Sequence, residues 1–199
     1  MKALKIIGII LLVLVVGIAG FVMSLKGESH LERSIIVNAP AEKVFRVVND
    51  FSYNDQWSPW FMIDPDTKYV FSENTSGVGA YYEWDSENPE VMKGRQEMLE
   101  SRSNEYVNTS MEFVGMTGTY TAAFILEPNG EGTEVTWTYE GKADAVGEKF
   151  FIDYLTESML APSYEEGLEN LKKLVEGLPD PAPVQEVLEV DSTEVEAII

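Results

Sequence analysis

The chain has 199 residues, no cysteine and one histidine, His30. After residue 27 it carries all 34 acidic residues but only 11 of the 14 basic ones, so this part has a formal net charge of −23. Nucleic-acid binding needs clustered Lys and Arg, and the composition argues against it. With no cysteine, and with the single histidine predicted at the surface, the chain also offers no catalytic Ser/His/Asp arrangement and no His/Cys metal site.

The first 27 residues differ from the rest of the chain. Residues 6–25 contain no charged side chain, and this run of 20 matches the roughly 20 residues that a helix needs to cross a bilayer core of about 30 Å. A cleaved signal peptide is the alternative, but its apolar region is typically about 7–15 residues and ends in a small-residue cleavage site. Residues 17–19 (GIA) make a poor site of that kind. We therefore predict a retained transmembrane anchor over residues 1–27, with membrane contact through residues 3–25.

The orientation of this anchor is weakly specified by charge. Lys2, Lys5 and the terminal amine precede the apolar run, and Lys26 and Arg33 follow it closely, so the positive-inside count is nearly tied. A short N-terminal flank before a long domain favours an N-terminus in the cytoplasm. We expect a single-pass membrane protein whose soluble domain is extracytoplasmic.

Residues 28–177 have the size and patterning of one domain. Residues 31–38 predict a first strand, and residues 39–42 open a helix in which Pro40 lies where its missing N–H is tolerated. Further segments show period-two alternation and each predicts a strand: 68–72, 78–85, 92–101, 106–114, 119–127 and 133–140. One-sided alternation indicates antiparallel strands with one solvated face.

A long helix is predicted over residues 148–176, interrupted at Pro162. One face of this helix is apolar, and Gly177 is a fitting end. The acidic residues Asp144, Glu148, Asp153 and Glu157 recur at helical spacing, which is typical of a solvated face. Because the apolar face of the sheet must be covered, we expect this helix to lie across it. Residues 178–199 form an acidic, proline-containing linker or tail.

The order of these segments resembles the START-related helix-grip superfamily (SRPBCC), and within it the polyketide cyclase/dehydrase and lipid transport subgroup. The resemblance covers roughly residues 30–177 and is carried, in chain order, by SIIVNAPAEKVFRVVNDF, WSPW, GVGAYYEW, GTEVTWTYEG and YEEGLENLKKLVEG. It implies an α+β helix-grip fold, in which a curved seven-stranded antiparallel sheet wraps around a long C-terminal helix. It also implies an apolar cavity between the two, which in such proteins holds lipids, sterols, polyketides or other hydrophobic molecules. A minority of these proteins are enzymes.

The candidate ligand-binding residues are aromatic and methionine side chains on the inward faces. They are Trp57, Trp60, Phe61, Tyr82, Trp84, Met98, Met111, Phe113, Tyr120, Phe124, Trp137, Tyr139, Tyr154 and Met159. Methionine adapts to irregular shapes, and tyrosine adds a polar tip to an apolar ring. The alternative is a filled core, because aromatic residues in strand alternation also pack core interiors.

The stretch NDQWSPWF, residues 54–61, places three of these rings in a loop or broken turn. Pro59 lacks an N–H and forces the residue before it out of helical geometry. The resemblance implies that this segment lies at the mouth of the cavity. Trp57, Trp60 and Phe61 then either close over a ligand or form a satellite core beneath the loop.

The expected function is that of a membrane-tethered binding protein for a hydrophobic small molecule or lipid, without a cofactor, a metal ion or nucleic acid. Two alternatives remain open. One is a cyclase or hydratase on the same scaffold, using tyrosine hydroxyls and a carboxylate in the cavity. The other is a sensory or partner-binding module, with a protein partner that the sequence does not identify.

Overall fold

The computed structural model describes residues 2–179 and confirms the predicted α+β helix-grip architecture. A curved, antiparallel sheet of seven strands has the order β1-β7-β6-β5-β4-β3-β2. The strands are β1 (Glu28–Val37), β2 (Lys68–Phe71), β3 (Tyr81–Asp85), β4 (Lys93–Arg102), β5 (Tyr106–Phe113), β6 (Thr119–Asn129) and β7 (Gly132–Lys142). The helices are α1 (Lys2–Ser24), α2 (Ala41–Val48), α3 (Asn54–Trp57), α4 (Trp60–Ile63) and α5 (Val146–Gly177).

Helix α1 stands apart from the packed core of the domain. Its segment Lys5–Ser24 is long and apolar enough to cross a membrane, and none of it is buried inside the protein. A membrane anchor and a signal sequence share these properties when they lie near the N-terminus. The helix is therefore a candidate membrane span, and the sequence-based choice between the two stays a prediction.

Helix α5 supplies the helical side of the core. Its predicted apolar face is fully buried, with Tyr164, Leu168, Leu171 and Val175 each no more than 2% exposed. The predicted interruption at Pro162 is wrong, because α5 runs unbroken through this residue. A proline removes one backbone hydrogen bond, but the buried neighbours Ala161 and Tyr164 hold both halves of the helix against the core.

The segment between α2 and β2 folds as a short 3-10 helix (Phe51–Tyr53) followed by the two short helices α3 and α4. Helix α3 ends at Trp57, the extended backbone of Ser58 then precedes Pro59, and α4 starts directly after the proline. The predicted broken turn is thus present, with each half wound into a helical turn. The tail prediction for residues 178–199 falls, from residue 180 onward, outside the described residues.

Candidate ligand-binding cavity

A cavity of about 410 Å³ lies between the sheet, helix α5 and the two short helices α3 and α4. Strands β2 to β7 all contribute side chains to its wall. Helix α5 contributes Phe151, Met159, Leu160, Ser163 and Tyr164, and the connection between β3 and β4 adds residues 89–92. The walls are mainly aromatic and aliphatic, as in pockets that hold small apolar ligands.

Most of the sequence-predicted residues meet at this cavity. Twelve of the fourteen line it: Trp57, Trp60, Phe61, Tyr82, Trp84, Met111, Phe113, Tyr120, Phe124, Trp137, Tyr139 and Met159. They converge because the strand residues alternate on the inward face, while α3, α4 and α5 close the open side. The other two, Met98 and Tyr154, do not line the cavity.

Met98 is inward-facing but belongs to the packed core. It is 1% exposed and lies next to a shift in the pairing register between β4 and β5, one inward position beyond the cavity-lining Gln96. Tyr154 is 54% exposed, and its ring lies 5.9 Å from that of Phe21 in α1. Helix α5 has apolar residues on more than one face, so periodicity alone assigned Tyr154 to the wrong one.

A chain of polar groups crosses the inward face of the sheet, and sequence reasoning missed most of it. The Tyr82 hydroxyl donates to Gln96 Oε1 at 2.7 Å, and Gln96 Nε2 donates to Thr109 Oγ1 at 2.8 Å. The Thr109 hydroxyl in turn donates to the carbonyl of Ala122 at 3.1 Å. Gln96 and Thr109 are in phase with the inward apolar residues of their strands, and this signal could have identified them.

Two rings hold the sheet to α5 at the cavity wall. Trp137 of β7 stacks on Tyr164 of α5, with ring centroids 4.0 Å apart, and on Phe124 of β6 at 5.0 Å. Trp57 meets Trp137 edge-on at 5.3 Å. Within the described residues, the indole N–H groups of Trp57 and Trp137 are buried without a hydrogen-bond partner. Both nitrogens are covered by neighbouring protein atoms, so an acceptor would reach either of them only if its ring shifts.

The segment formed by α3 and α4 packs against the core of the domain. Trp57 is 4% exposed and is part of the main core, while Trp60 and Phe61 are half-buried. Gly167 of α5 provides the space for this packing, because a Cβ there would lie only 2.8 Å from the Trp137 ring and 3.1 Å from Pro59 Cδ. In this closed arrangement Trp57 is part of the core, and Trp60 and Phe61 form the half-buried edge of the segment.

The buried tyrosine side chains of the cavity wall are uncharged at neutral pH. Burial raises the pKa of Tyr139 to about 12, and it also raises the pKa values of Tyr82 and Tyr164 well above their usual range. These hydroxyls stay protonated at neutral pH and can donate hydrogen bonds. Among the described residues of the lining, Glu90 is the sole carboxylate, and it is exposed at the surface.

Three acidic side chains on α5 bond specific partners. The expected solvated position holds for Asp144 and for Glu157, which is one of the three, whereas Glu148 and Asp153 are half-buried. Glu148 accepts hydrogen bonds from the Thr117 N–H at 2.9 Å, the Gly118 N–H at 2.8 Å and the Tyr120 hydroxyl at 3.0 Å. Partial burial would raise the pKa of Glu148, but these hydrogen bonds outweigh it and hold the pKa below its ordinary value. The carboxylate thus braces the turn before β6 and the cavity-lining Tyr120.

The other two acidic groups act at the edge of the sheet. Glu157 pairs with Arg33 of β1 at 2.5 Å, and Asp153 accepts backbone N–H groups just before β1. Periodicity showed that these carboxylates lie on a helix, but it could not show that β1 packs beside that helix.

Comparison with known proteins places the domain among similar folds. Residues 28–176 match a family described as polyketide cyclase / dehydrase and lipid transport. No curated protein is detectably similar to this chain in sequence.

Three of the similar solved structures show how similar in sequence and fold these proteins are to this chain. A protein from Chromobacterium violaceum is 21% identical over 76% of this chain and 99% of its own, with a TM-score of 0.55. One from Thermobifida fusca is 18% identical over 73% and 92%, with a TM-score of 0.55. Truncated norcoclaurine synthase from Thalictrum flavum is 15% identical over 76% and 96%, with a TM-score of 0.54. At such identities these likenesses establish the fold alone.

Two methionines provide a matched test of core against cavity wall. We expect Met98→Ala to lower the free energy of unfolding by about 2–5 kcal/mol, because it leaves a void in packed core. Met111→Ala should cost clearly less, because Met111 is half-buried and already faces open space. Urea unfolding of both variants measures the difference. Equal losses would show that the site around Met111 is packed as tightly as the core.

The Glu148 carboxylate should make stability depend on pH. A lowered folded-state pKa stabilises the fold above the unfolded value of 4.5, and this contribution disappears as the pH falls through the folded pKa. We therefore expect Glu148→Gln to lower the melting temperature at pH 7 and to match the unmodified protein progressively below pH 4.5. Glu169→Gln, at an exposed position on the same helix, is the control. A constant difference at all pH values would contradict the assignment.

Proposed function

The chain belongs to the polyketide cyclase/dehydrase and lipid transport family, and we propose that it is a membrane-tethered protein that binds a hydrophobic small molecule or lipid. The cavity of about 410 Å³ carries this proposal. Its volume falls within the range of about 300–1,000 Å³ that small-molecule sites occupy, and its wall combines apolar rings with a few placed polar groups. Helix α1, long and apolar enough to cross a membrane, supports the tether. We propose the extracytoplasmic side for the domain because only a short N-terminal flank precedes α1 and a long domain follows it, the charges that flank α1 being nearly balanced.

The polar groups of the cavity wall limit the kinds of ligand that fit the cavity. The N–H donors of Trp57 and Trp137 are buried and unpaired, and we propose that a shift of these rings on binding lets them donate to a ligand acceptor, such as a carbonyl, ester or hydroxyl oxygen. The described lining contains no Lys, Arg or His that could neutralise an anionic head group. The domain itself is strongly acidic, which would repel an anion at longer range. We therefore propose a neutral, elongated molecule with an oxygen acceptor at the end near these tryptophans.

Acid–base catalysis finds less support in this cavity. The tyrosine hydroxyls keep their protons at neutral pH, so none of them is a base, and Glu90 is exposed rather than aimed into an enclosed site. The likeness to norcoclaurine synthase rests on 15% identity and so gives no reason to transfer its activity. Binding is the function that these residues support best.

A titration with two fluorescent probes tests the proposal. We expect the detergent-purified full chain to bind a neutral monoacylglycerol carrying a fluorescent acyl chain, and to bind the corresponding anionic fatty acid more weakly. The reason is that an ionised head group loses hydration in a lining without basic residues. Replacing Trp137 with Phe keeps the ring stack but removes one donor, and it should weaken binding of the neutral probe. If neither probe binds, the result contradicts a lipid-binding cavity.

Substitutions of Trp60 and Trp57 should distinguish control of ligand release from stabilisation of the fold. Trp60→Ala should speed release of the neutral probe in stopped-flow measurements, because it trims the half-buried edge that covers the cavity. Trp57→Ala should instead lower the free energy of unfolding by about 3–5 kcal/mol, as expected for a buried aromatic residue. If Trp60→Ala lowers the melting temperature strongly and leaves release unchanged, the α3–α4 segment is not a gate.

A further inference from the structure

The connection between α1 and the domain is a fixed joint rather than a flexible linker. Only residues 25–27 separate Ser24 from β1, and Leu25 is buried. The Asp153 carboxylate accepts the backbone N–H of Lys26 at 2.7 Å and that of Gly27 at 2.9 Å. Both bonds tie the end of α1 to α5, so the direction of α1 sets the orientation of the domain.

At this joint, position 27 requires a glycine. Its φ is +72°, and an added Cβ would collide with the carbonyl oxygen of Ala143 and lie 2.6 Å from Lys149 Cγ. The Gly27 carbonyl also accepts the N–H of Ala143 at 2.9 Å. The backbone is therefore held from both sides at the point where it leaves α1.

An exposed apolar patch lies beside the joint. Val146, Phe150 and Tyr154 recur every fourth residue along α5, so they share one face of the helix, and they are 51%, 44% and 54% exposed. The ring of Phe21, in the last turn of α1, lies 6.4 Å from Phe150 and 5.9 Å from Tyr154. We call these four residues the junction face.

The position of Phe21 sets the depth of this face relative to a membrane. Phe21 lies three residues before the end of α1, about 4.5 Å along the helix axis at 1.5 Å per residue. Tyrosine side chains next to the ends of membrane-spanning helices lie at the level of the lipid head groups, and Tyr154 contacts Phe21 at this end of α1. Rings that contact Phe21 from α5 lie at nearly the same level.

We infer that the junction face lies in the head-group region of the bilayer that holds α1, and that the domain rests on this membrane in one orientation. The inference depends on the tether in the proposed function. Its consequence is that the cavity lies at the membrane surface, because Phe151, the residue after Phe150, lines the cavity wall. A hydrophobic ligand would then exchange with this same bilayer over a short path.

The size and charge of the face favour lipid over a second protein. Stable protein interfaces use about 20–30 residues a side, far more than the three side chains that α5 offers here. The face itself carries no charge, although the domain is strongly acidic. Tyr154 is also suited to the boundary between water and lipid, because its ring is apolar and its hydroxyl can stay in water, while Val146 and Phe150 add apolar area.

Site-specific labelling of the full chain tests this inference. Because the protein has no cysteine, Tyr154→Cys and Val146→Cys each provide one attachment point for an environment-sensitive fluorophore. Val70→Cys is the matched control, since Val70 is 61% exposed and lies on β2, at the sheet edge opposite β1. The labelled proteins are reconstituted into phosphatidylcholine nanodiscs with or without a nitroxide near the head group.

We expect labels at 154 and 146 to shift to shorter emission wavelengths in nanodiscs and to lose fluorescence when the nitroxide lipid is present. The label at 70 should show neither change. Equal behaviour at all three positions would overturn the inference, as would a shift that occurs in detergent and grows with protein concentration, which would indicate a second copy on this face. Binding of the neutral probe is measured on the same samples. Intact binding without quenching overturns the membrane contact alone, and quenching without binding overturns the proposed function alone.

Discussion

The stack of Trp137 on Tyr164 is the contact on which the rest of the domain depends. It joins β7, the strand next to the edge strand β1, to the middle of α5, and Phe124, Trp57 and Trp60 pack around it. Large aromatic rings bury much area with few rotatable bonds, so such a cluster fixes the distance between helix and sheet at low entropic cost. Gly167 on α5 keeps the backbone close enough for this packing and gives the α3–α4 segment its place.

The space between α5 and the sheet is filled on one side of this contact and partly open on the other. Toward the C-terminal end of α5, the aliphatic residues Leu168, Leu171 and Val175 pack without exposure. Toward its N-terminal end the wall residues are rings and methionines that leave about 410 Å³ open. One side of the same interface is therefore a stabilising core and the other a binding site. The polar chain through Gln96 and Thr109 marks the transition between them.

The acidic side chains of α5 also hold neighbouring elements of the domain in position. Glu148 holds the turn before β6, Asp153 holds the end of α1, and Arg33 of β1 bonds both Glu157 and Glu165. Exposed pairs of this kind contribute little stability individually. Their value here is geometric, because each one fixes the direction of an element that leads to the cavity or to the membrane.

The sequence by itself determined the order of strands and helices, the apolar face of α5 and most of the aromatic wall, because periods of two and 3.6 residues report which side chains share a face. Only the tertiary structure decided which inward residues fill the core and which leave a cavity. Met98 and Met111 are in phase on paired strands, yet one is packed and the other faces open space. Tyr154 was misplaced, and the partners of the α5 carboxylates were missed, for a related reason. A helix with apolar and acidic residues on several faces does not reveal which neighbour each face will meet, since the packing of helix on sheet brings together residues more than 100 positions apart, such as Asp153 and Gly27.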